Sequence, residues 1–438
     1  MKTDSFINER FLHYVWQHQL FDTVDLRTVD GESLSVLFPG YYNIDAGPDF
    51  KQAIVQIGDL KWVGNVEIHI RSSDWLRHHH QYDAKYRSVT LHVVNWNDTQ
   101  VERVKGEYFP TLELQRRIPP DMFQRYQQLM DSTDDLPCRS ELTSLNLLTI
   151  KNLLSSLSME RLLRKQSKLN DLLQHCAGDW HEVVYRMLAI GFGFKTNASA
   201  FELLAQELPY KLLAKHLDSV LQVEAMIFGQ AGFLQYPSLD DYYDQLKYEY
   251  DYLRYKYQLS PIAIHQWNLL RMRPQNFPSV RLAQFSRLLC KLPHLFDDLL
   301  RAFDVEDLRK LLVVVPNDYW RTHYHFGCDT ILEHSVSLGE SAINLLILNT
   351  VIPMKFAFHQ FSGNENELEQ DVALLEQLPF EHNRVTRIFA SSGFPQENAQ
   401  DSQALIELHG QYCIQRRCLE CAVGDCIVRN KRSPPTIS

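Results

Sequence analysis

The sequence lacks an uninterrupted apolar segment long enough to cross a bilayer. The longest candidate, INLLILNTVIPMKFAF, is interrupted by Asn, Pro and Lys, whereas a membrane-spanning helix needs about 20 predominantly apolar residues. The first ten residues, MKTDSFINER, are polar and contain no apolar signal segment. We therefore expect a cytoplasmic protein that has no membrane partner.

An excess of positive charge is also missing. The chain has 44 Lys and Arg residues against 54 Asp and Glu residues, for a net charge of −10. This balance argues against a protein that binds nucleic acid broadly and without specificity, although a local basic groove remains compatible with it. Fixed-period repeats and low-complexity tracts are absent from the sequence as well.

The length and patterning predict an α+β protein with more than one domain. At 438 residues the chain exceeds what one simple core accommodates. Helical spacing in residues 5–20 is followed by alternating strand-like segments up to about residue 118, and amphipathic helical patterns dominate from about 121. We predict a mixed α/β domain at 1–118, a mainly α-helical domain at 121–400, and a cysteine-bearing element at 401–438.

The stretch GPDFKQAIVQIGDLKWVGNVEIHI, residues 47–70, reads as a β-hairpin that carries carboxylates. With GDL (58–60) as the turn, one face is mostly apolar and the other carries Glu67 and His69 together. The predicted register pairs Phe50 with Ile68, Asp49 with His69, and Lys51 with Glu67.

Two carboxylates that meet at one point repel each other unless a cation lies between them. Asp49 and Glu67 are suited to hold Mg²⁺ or Mn²⁺, and a metal held in this way can activate water for phosphodiester hydrolysis. His69 or Lys51 would then orient or deprotonate the attacking water. The alternative interpretation is an edge hairpin whose polar face is solvated.

The hairpin resembles the motif of the restriction-endonuclease-like PD-(D/E)XK nucleases. Their pattern, Pro-Asp on one strand and Glu-x-Lys on the next, corresponds here to PDF at 48–50 and EIH at 67–69. His69 stands where the family usually has Lys, and Lys51 is a candidate substitute. The resemblance also implies an acidic residue on the first helix, for which Glu9 is suitably located. It implies a metal-dependent nuclease acting on nucleic acid; the alternative is a non-catalytic binding or scaffold protein with a degenerate nuclease-like domain.

Over its whole length the chain resembles a bacterial family known only as a domain of unknown function. The segments that carry the resemblance include AGPDF, GNVEIHIRSSDW, EAMIFGQAGFL and YCIQRRCLECAVG. This resemblance implies no activity.

Histidines are concentrated in DWLRHHHQYDAKY, which follows the hairpin. On a continuous helix His79 and Asp83 would share a face at i, i+4, a spacing that can bind zinc. A solvated histidine run is the alternative interpretation. His80 or Asp83 would border the hairpin site, since this segment comes directly after His69.

Four of the eight cysteines lie in CIQRRCLECAVGDC, at positions 413, 418, 421 and 426. A compact set of Cys413, Cys418, Cys421 and Cys426 predicts Zn²⁺ or an iron–sulfur cluster, with buried unliganded thiols as the alternative. Convergence of all four sulfurs requires a sharp turn at Gly424. The other cysteines, at 138, 176, 290 and 328, are interpreted as isolated thiols.

The segment RMRPQNFPSVR contains Arg271, Arg273 and Arg281 and precedes a predicted helix. Free N–H groups at the start of a helix attract anions, and arginine is suited to phosphate. The segment therefore predicts a phosphate or nucleic-acid contact. The alternative is a helix–helix connection whose arginines pair with acidic residues.

Overall fold

The computed structural model describes residues 7–104, 106–144, 146–235, 238, 240–270, 272–330, 333 and 335–430. The chain forms two compact units: the first combines Met1–Ile150 with His409–Ser438, and the second is Lys151–Leu408. Both predicted boundaries, at 118 and 400, are therefore displaced, and the cysteine-bearing element belongs to the first unit.

The prolines at 119 and 120 explain the first displacement. They start a helix instead of ending a domain, because the fixed φ of proline is preorganised for the first helical position. Met122, Tyr126 and Leu129 of this helix are buried in the core of the first unit.

The first unit begins with helix α1 (Glu9–Gln17), whose N-cap Asn8 accepts a hydrogen bond from the backbone N–H of Phe11 at 2.9 Å. Two further helices follow, α2 (Asp74–Arg77) and α3 (Pro120–Asp131). The strands are β1 (Leu34–Phe38), β2 (Tyr41–Tyr42), β3 (Phe50–Ile57), β4 (Leu60–Arg71), β5 (Val89–Trp96), β6 (Glu102–Val104), β7 (Glu107–Tyr108) and β8 (Thr111–Glu113).

A curled mixed sheet with the strand order β1-β3-β4-β5-β8 forms the centre of the first unit. β1, β3 and β4 are successively antiparallel, whereas β4, β5 and β8 are parallel. β2 pairs with β3, and β6 with β7 forms a separate hairpin. The central strands β4 and β5 are therefore hydrogen-bonded along both edges, and side chains on both faces are buried.

The apolar face of the sheet packs on α1 and α3. Phe50, Val66 and Ile68 share a core with Phe11 of α1 and Tyr126 of α3, and Phe11 stacks on Tyr126 with ring centroids 4.9 Å apart. The opposite face carries Trp75, Val89 and Phe109 in a smaller cluster.

The second unit is almost entirely helical, and the chain as described is mixed α+β, as predicted. Its helices are α4 (Leu147–His175), α5 (Trp180–Phe192), α6 (Ala198–Glu207), α7 (Tyr210–Leu213), α8 (Val220–Gln230), α9 (Asp241–Tyr257), α10 (Pro278–Lys291), α11 (Leu295–Arg301), α12 (Val305–Leu312), α13 (Glu340–Leu346), α14 (Ile352–Ser362), α15 (Glu365–Gln377), α16 (Arg384–Ile388) and α17 (Ala399–Glu407). Two short strands, β9 (His323–His325) and β10 (Cys328–Asp329), pair with each other. The last helix of the chain, α18 (Ala422–Val428), belongs to the first unit.

One helical segment, Glu340–Ser362, is long and apolar enough to cross a membrane by length and composition, and 67% of its most apolar stretch is buried in the protein. Core helices of soluble proteins pass the same test. The expectation that the chain has no membrane partner therefore stays a prediction.

Close approach of β4 to β5 requires glycine at position 64. A Cβ atom there would lie 2.2 Å from Cγ2 of Thr90 and 3.0 Å from the backbone oxygen of Ser88. Thr90 has a short, stiff side chain that cannot move away. Glycine is therefore needed three residues before Glu67, in the strand that carries the carboxylate.

We expect Gly64→Ala to lower the free energy of unfolding by about 1–3 kcal/mol, the usual cost of forcing an extra carbon into a packed interior. Thr90→Ala removes the clashing atoms, so the double variant should recover part of the loss. Denaturant unfolding of the two single variants and the double variant gives the coupling energy. Val63→Ala, whose side chain is 68% exposed, is the control. A Gly64→Ala protein as stable as the parent would contradict this account.

Candidate active site

The carboxylates of Asp49 and Glu67 are held together by two hydrogen bonds. The backbone N–H of Asp49 donates to Oε2 of Glu67 at 3.1 Å, and Oδ2 of Asp49 accepts the backbone N–H of Ile68 at 2.9 Å. Asp49 immediately precedes β3, and Glu67 lies in β4. The two residues are therefore joined at the open end of the hairpin.

The register of this hairpin differs from the predicted one. Near the turn Ala53 faces Gly64 and Val55 faces Trp62, and farther out Phe50 faces Val66 instead of Ile68. The pairing shifts at a bulge that includes Gln52, which has a φ of +58°. Such a bulge inserts an unpaired residue and re-aims the strand.

The polar face of the hairpin is not solvated. Glu67 is 4% exposed and His69 is 1% exposed, because β5 and the loop after α2 cover them. His69 and Glu67 project on the side opposite Val66 and Ile68, as the two-residue alternation predicts.

Lys51 does not pair with Glu67 as predicted. Its strand partner is Tyr41 of β2, and the residue is exposed. Within the described residues its side chain has no hydrogen bond or ion pair, because the bulge removes it from the register that would place it opposite the carboxylate.

Two buried histidines lie beside the carboxylates. His92 of β5 is the strand neighbour of Glu67, and its Nε2 lies 2.9 Å from Nδ1 of His69. Burial, reinforced by the neighbouring imidazoles, lowers the pKa of His69 to about 2, and burial lowers the pKa of His92 to about 3. Both rings are therefore neutral near pH 7.

Nε2 of His69 has no hydrogen-bond partner in the described part of the chain. It lies 3.6 Å from Oε1 of Glu67. A buried ring nitrogen without a partner is costly, and a neutral imidazole nitrogen beside a carboxylate is a good ligand for a transition metal.

The histidine run turns back toward this site instead of continuing as a helix. α2 ends at Arg77, and His79 has a φ of +62°. His80 consequently stacks on Tyr86 with ring centroids 3.8 Å apart, and its Nε2 lies 3.3 Å from Oε1 of Glu67.

The predicted zinc pair of His79 and Asp83 is wrong for the same reason. No helix spans these residues, and Asp83 accepts the backbone N–H of Lys85 at 2.9 Å. The group that does form consists of His69, His78 and His80, each offering a ring nitrogen within 4.8 Å of the others. The His-x-His spacing of residues 78 and 80 was the available signal in the sequence.

Helix α1 contributes two further groups. The pKa of Glu9 is raised above its ordinary value, mainly by burial. The nearby His78 acts in the opposite direction, and Asp49 adds to the increase. His13 lies one turn later, with Nε2 3.2 Å from Oδ2 of Asp49 at an angle unsuited to a hydrogen bond. Sequence reasoning missed His13, although its i, i+4 spacing from Glu9 places both on one helix face.

The electrostatics of the site favour a proton or a cation at Glu67. Burial, and then repulsion by Asp49, raises the pKa of Glu67 far above its usual range, against the opposing influence of the hydrogen bond from Asp49 and of His13. Two carboxylates and neutral imidazole nitrogens form a ligand set that suits Mn²⁺ or Zn²⁺ better than Mg²⁺, which prefers oxygen ligands and water.

The C-terminal cysteines do not follow the predicted turn. Gly424 lies inside α18 and has no positive φ. Glycine is needed there for another reason: a Cβ atom would lie 1.9 Å from the carbonyl oxygen of Cys418. Cys413, Cys418 and Cys421 are buried, whereas Cys426 is carried onward by the helix and is partly exposed.

The predicted phosphate-binding arginines are placed in different environments in the second unit. Arg271 lies outside the described residues, and Arg273 is exposed. Arg281 is buried, donates to Oε1 of Gln284 at 2.8 Å and to Oδ1 of Asn276 at 2.7 Å, and lies over the ring of Phe194. It lines a cavity of about 290 Å³. These hydrogen-bond partners are amides, not the acids of the alternative interpretation, and phosphate binding stays a prediction.

A family model described as a protein of unknown function, DUF2851, matches residues 9–384. The chain belongs to this family. The match includes Glu9, Asp49 and Glu67 but ends before the C-terminal cysteines. No curated protein and no solved structure matches the chain.

We expect Glu67→Gln to change how stability depends on pH in protein freed of metal by a chelator. The folded state holds the proton on Glu67 above the ordinary pKa of 4.5, where the unfolded state has released it. The folded state then binds more protons, so the parent protein loses stability as pH rises above that value, by at most about 1.4 kcal/mol per unit.

Glutamine cannot ionise, so the stability of Glu67→Gln relative to the parent should increase from pH 5 to pH 8. Thermal unfolding across this range is the measurement, and Glu107→Gln, at an exposed strand position, is the matched control. Parallel curves for the parent and Glu67→Gln would show that Glu67 is ionised in the folded state.

Proposed function

We propose that the first unit is a metal-dependent nuclease or related phosphodiesterase acting on nucleic acid. The observation that carries the proposal is the pair of carboxylates of Glu67, which is buried, and Asp49, which is partly buried. Backbone hydrogen bonds join the two residues, and imidazoles lie beside them. Two like charges held together largely away from water are unfavourable without a counter-ion. Proteins retain such pairs mainly where a metal or a catalytic proton is held.

The order of elements supports the same proposal. α1, β1, the β3–β4 hairpin, the short α2 and the parallel strand β5 give the order helix–strand–hairpin–helix–strand, which is similar to that of the restriction-endonuclease-like fold. Asp49 lies at the start of one hairpin strand, Glu67 lies in the other, and Glu9 lies on the first helix. All three are within electrostatic reach of one another.

Asp49 and Glu67 are the residues that would hold the metal, and Nε2 of His69, 3.6 Å from Oε1 of Glu67, would be a further ligand. Such an ion supplies an activated water and stabilises charge that develops on the phosphate. We assign His69 to metal binding and not to proton transfer, because a group with a pKa of about 2 is too weak a base at neutral pH. Its hydrogen-bonding contact with His92 orients the ring.

His80 is the better candidate for proton transfer. Its ring is only half-buried, and its Nε2 lies 3.3 Å from Glu67. Burial lowers the pKa of His80, but Asp49, Asp83 and Glu9 act in the opposite direction. Stacking on Tyr86 holds the ring at the opening of the site. In this arrangement the histidine performs the role that Lys has in the resembled family.

The presence of imidazoles predicts which ion supports activity. Nitrogen ligands favour Mn²⁺ over Mg²⁺, so we expect a preference for Mn²⁺.

A non-catalytic binding or scaffold protein is the second candidate, and the replacement of the family's Lys by His69 favours it. That protein would retain the metal and bind nucleic acid without cleaving it.

We expect the full-length protein with Mn²⁺ to cleave single- or double-stranded nucleic acid, and Mg²⁺ to support a lower rate. Glu67→Ala and Asp49→Ala remove metal ligands and should each reduce cleavage by at least about 100-fold, since even the supporting partners of metal ligands are often worth 10–100-fold. Cleavage of labelled DNA and RNA substrates is the measurement, with Glu107→Ala as the matched control.

Calorimetric titration of the same proteins with Mn²⁺ separates the two candidates. Stoichiometric Mn²⁺ binding that is lost in Glu67→Ala, without cleavage of any substrate, supports the scaffold. Cleavage that is equal in the parent and in both variants would rule out this site. Absence of both Mn²⁺ binding and cleavage would overturn both candidates.

A further inference from the structure

Cys138, interpreted above as an isolated thiol, lies beside the C-terminal cysteines. The thiols of Cys418 and Cys421 act electrostatically on Cys138, and those of Cys138, Cys418 and Cys421 act on Cys413. Cys138 and Cys418 also contribute to the same core of the first unit. Four thiols from two distant parts of the sequence are thus brought into one neighbourhood.

The backbone holds this neighbourhood in place from both sides. Nη2 of Arg416 donates to the carbonyl oxygen of Ser132 at 2.7 Å, which ties the cysteine loop to the segment that leads to Cys138. The carbonyl oxygen of Cys138 itself accepts the backbone N–H of Glu141 at 3.0 Å. On the other side, Gly424 packs against the backbone of Cys418 so closely that no side chain fits between them.

Polar donors lie near the thiols. The backbone N–H groups of Val423 and Gly424 lie close enough to the sulfur of Cys421 to favour its thiolate form. Nη1 of Arg416 is buried without a hydrogen-bond partner in the described chain, and its guanidinium lies close enough to Cys413 and Cys418 to act on their ionisation. Such donors stabilise anionic sulfur, whether thiolate or sulfide.

The four thiols are shielded from solvent. Cys413, Cys418 and Cys421 are buried, and Cys138 is partly buried against the same core. The buried Nη1 of Arg416 is poorly matched with neutral thiols, because neutral thiols are weak acceptors. A bound metal would hold the same sulfurs as thiolates, which are better partners for this donor.

We propose that Cys138, Cys413, Cys418 and Cys421 bind one iron–sulfur cluster. Cys426 also lies close enough to Cys421 to act on it, but it is only partly buried and is not among the main influences on Cys413. We therefore do not assign Cys426 as a ligand. The spacing of the sulfurs favours a cluster over a single zinc ion. Zn–S bonds of about 2.3 Å require the sulfurs to lie within about 4 Å of one another. Among the described residues, no three cysteine sulfurs all lie within 4.8 Å of one another, and a multi-iron cluster accommodates wider spacing.

The cluster would fasten the C-terminal segment to the first unit. Cys413, Cys418 and Cys421 come after the whole second unit in the chain, whereas Cys138 comes before it. A ligand set drawn from both sides closes a very long loop, which restricts the unfolded chain more than a short loop does. This proposal is independent of the proposed nuclease activity.

Anaerobic purification of the full-length chain, with iron, sulfide and zinc quantified, tests the proposal. We expect a brown protein with visible absorption, iron and acid-labile sulfide. Cys138→Ser should lose most of the iron and the absorption, whereas Cys426→Ser and Cys176→Ser, the latter in the second unit, should retain both. Loss of iron in Cys426→Ser with retention in Cys138→Ser would overturn the ligand assignment. Stoichiometric zinc, or a folded parent protein free of metal, would overturn the cluster.

Alkylation of the unaltered parent protein keeps the test valid if Cys138→Ser fails to fold. Native protein is treated with a thiol reagent under anaerobic conditions, with and without an iron chelator, and modified sites are identified by mass spectrometry. We expect protection of the four ligands until the chelator is added, with exposed Cys328 modified in both samples. Modification of Cys138 at the same rate with and without the chelator would exclude it as a ligand.

Discussion

The hydrogen bonds between Asp49 and β4 determine the chemistry of the first unit. They use the backbone N–H groups that the strand pairing leaves free beyond the bulge, and in doing so they bring the carboxylate of Asp49 against that of Glu67. Glu67 is 4% exposed, whereas the side chain of Asp49 remains 21% exposed. Glu67 must therefore either keep its proton or have a cation bound beside it.

The two histidines next to Glu67 have neutral rings near pH 7. Because β4 and β5 are parallel, His92 lies beside Glu67 and His69, where burial keeps both imidazoles uncharged. A charged histidine at that position would neutralise the acids permanently. Neutral rings instead leave lone pairs available, so the same burial that destabilises a bare carboxylate is compatible with the proposed metal.

The two sites of the first unit share a dependence on chain segments that are distant in sequence. The carboxylate site draws on α1, the hairpin, the loop after α2 and β5, and the thiol site draws on the segment after α3 and on the C-terminal segment. Each site contains a buried polar group without a full set of partners among the described residues, Nε2 of His69 in one and Nη1 of Arg416 in the other. Such groups cost free energy, and the packing of the surrounding fold must offset that cost.

Local periodicity determined much of this from the sequence alone. Strand alternation predicted that Glu67 and His69 share a face opposite Val66 and Ile68, and helical spacing predicted the α-helical body. The register of the hairpin, the reversal at His79 and the position of Cys138 were decided only by the tertiary structure. A bulge, a positive φ and a contact between distant segments leave no periodic signal, because each is stabilised by packing against residues far away in the sequence.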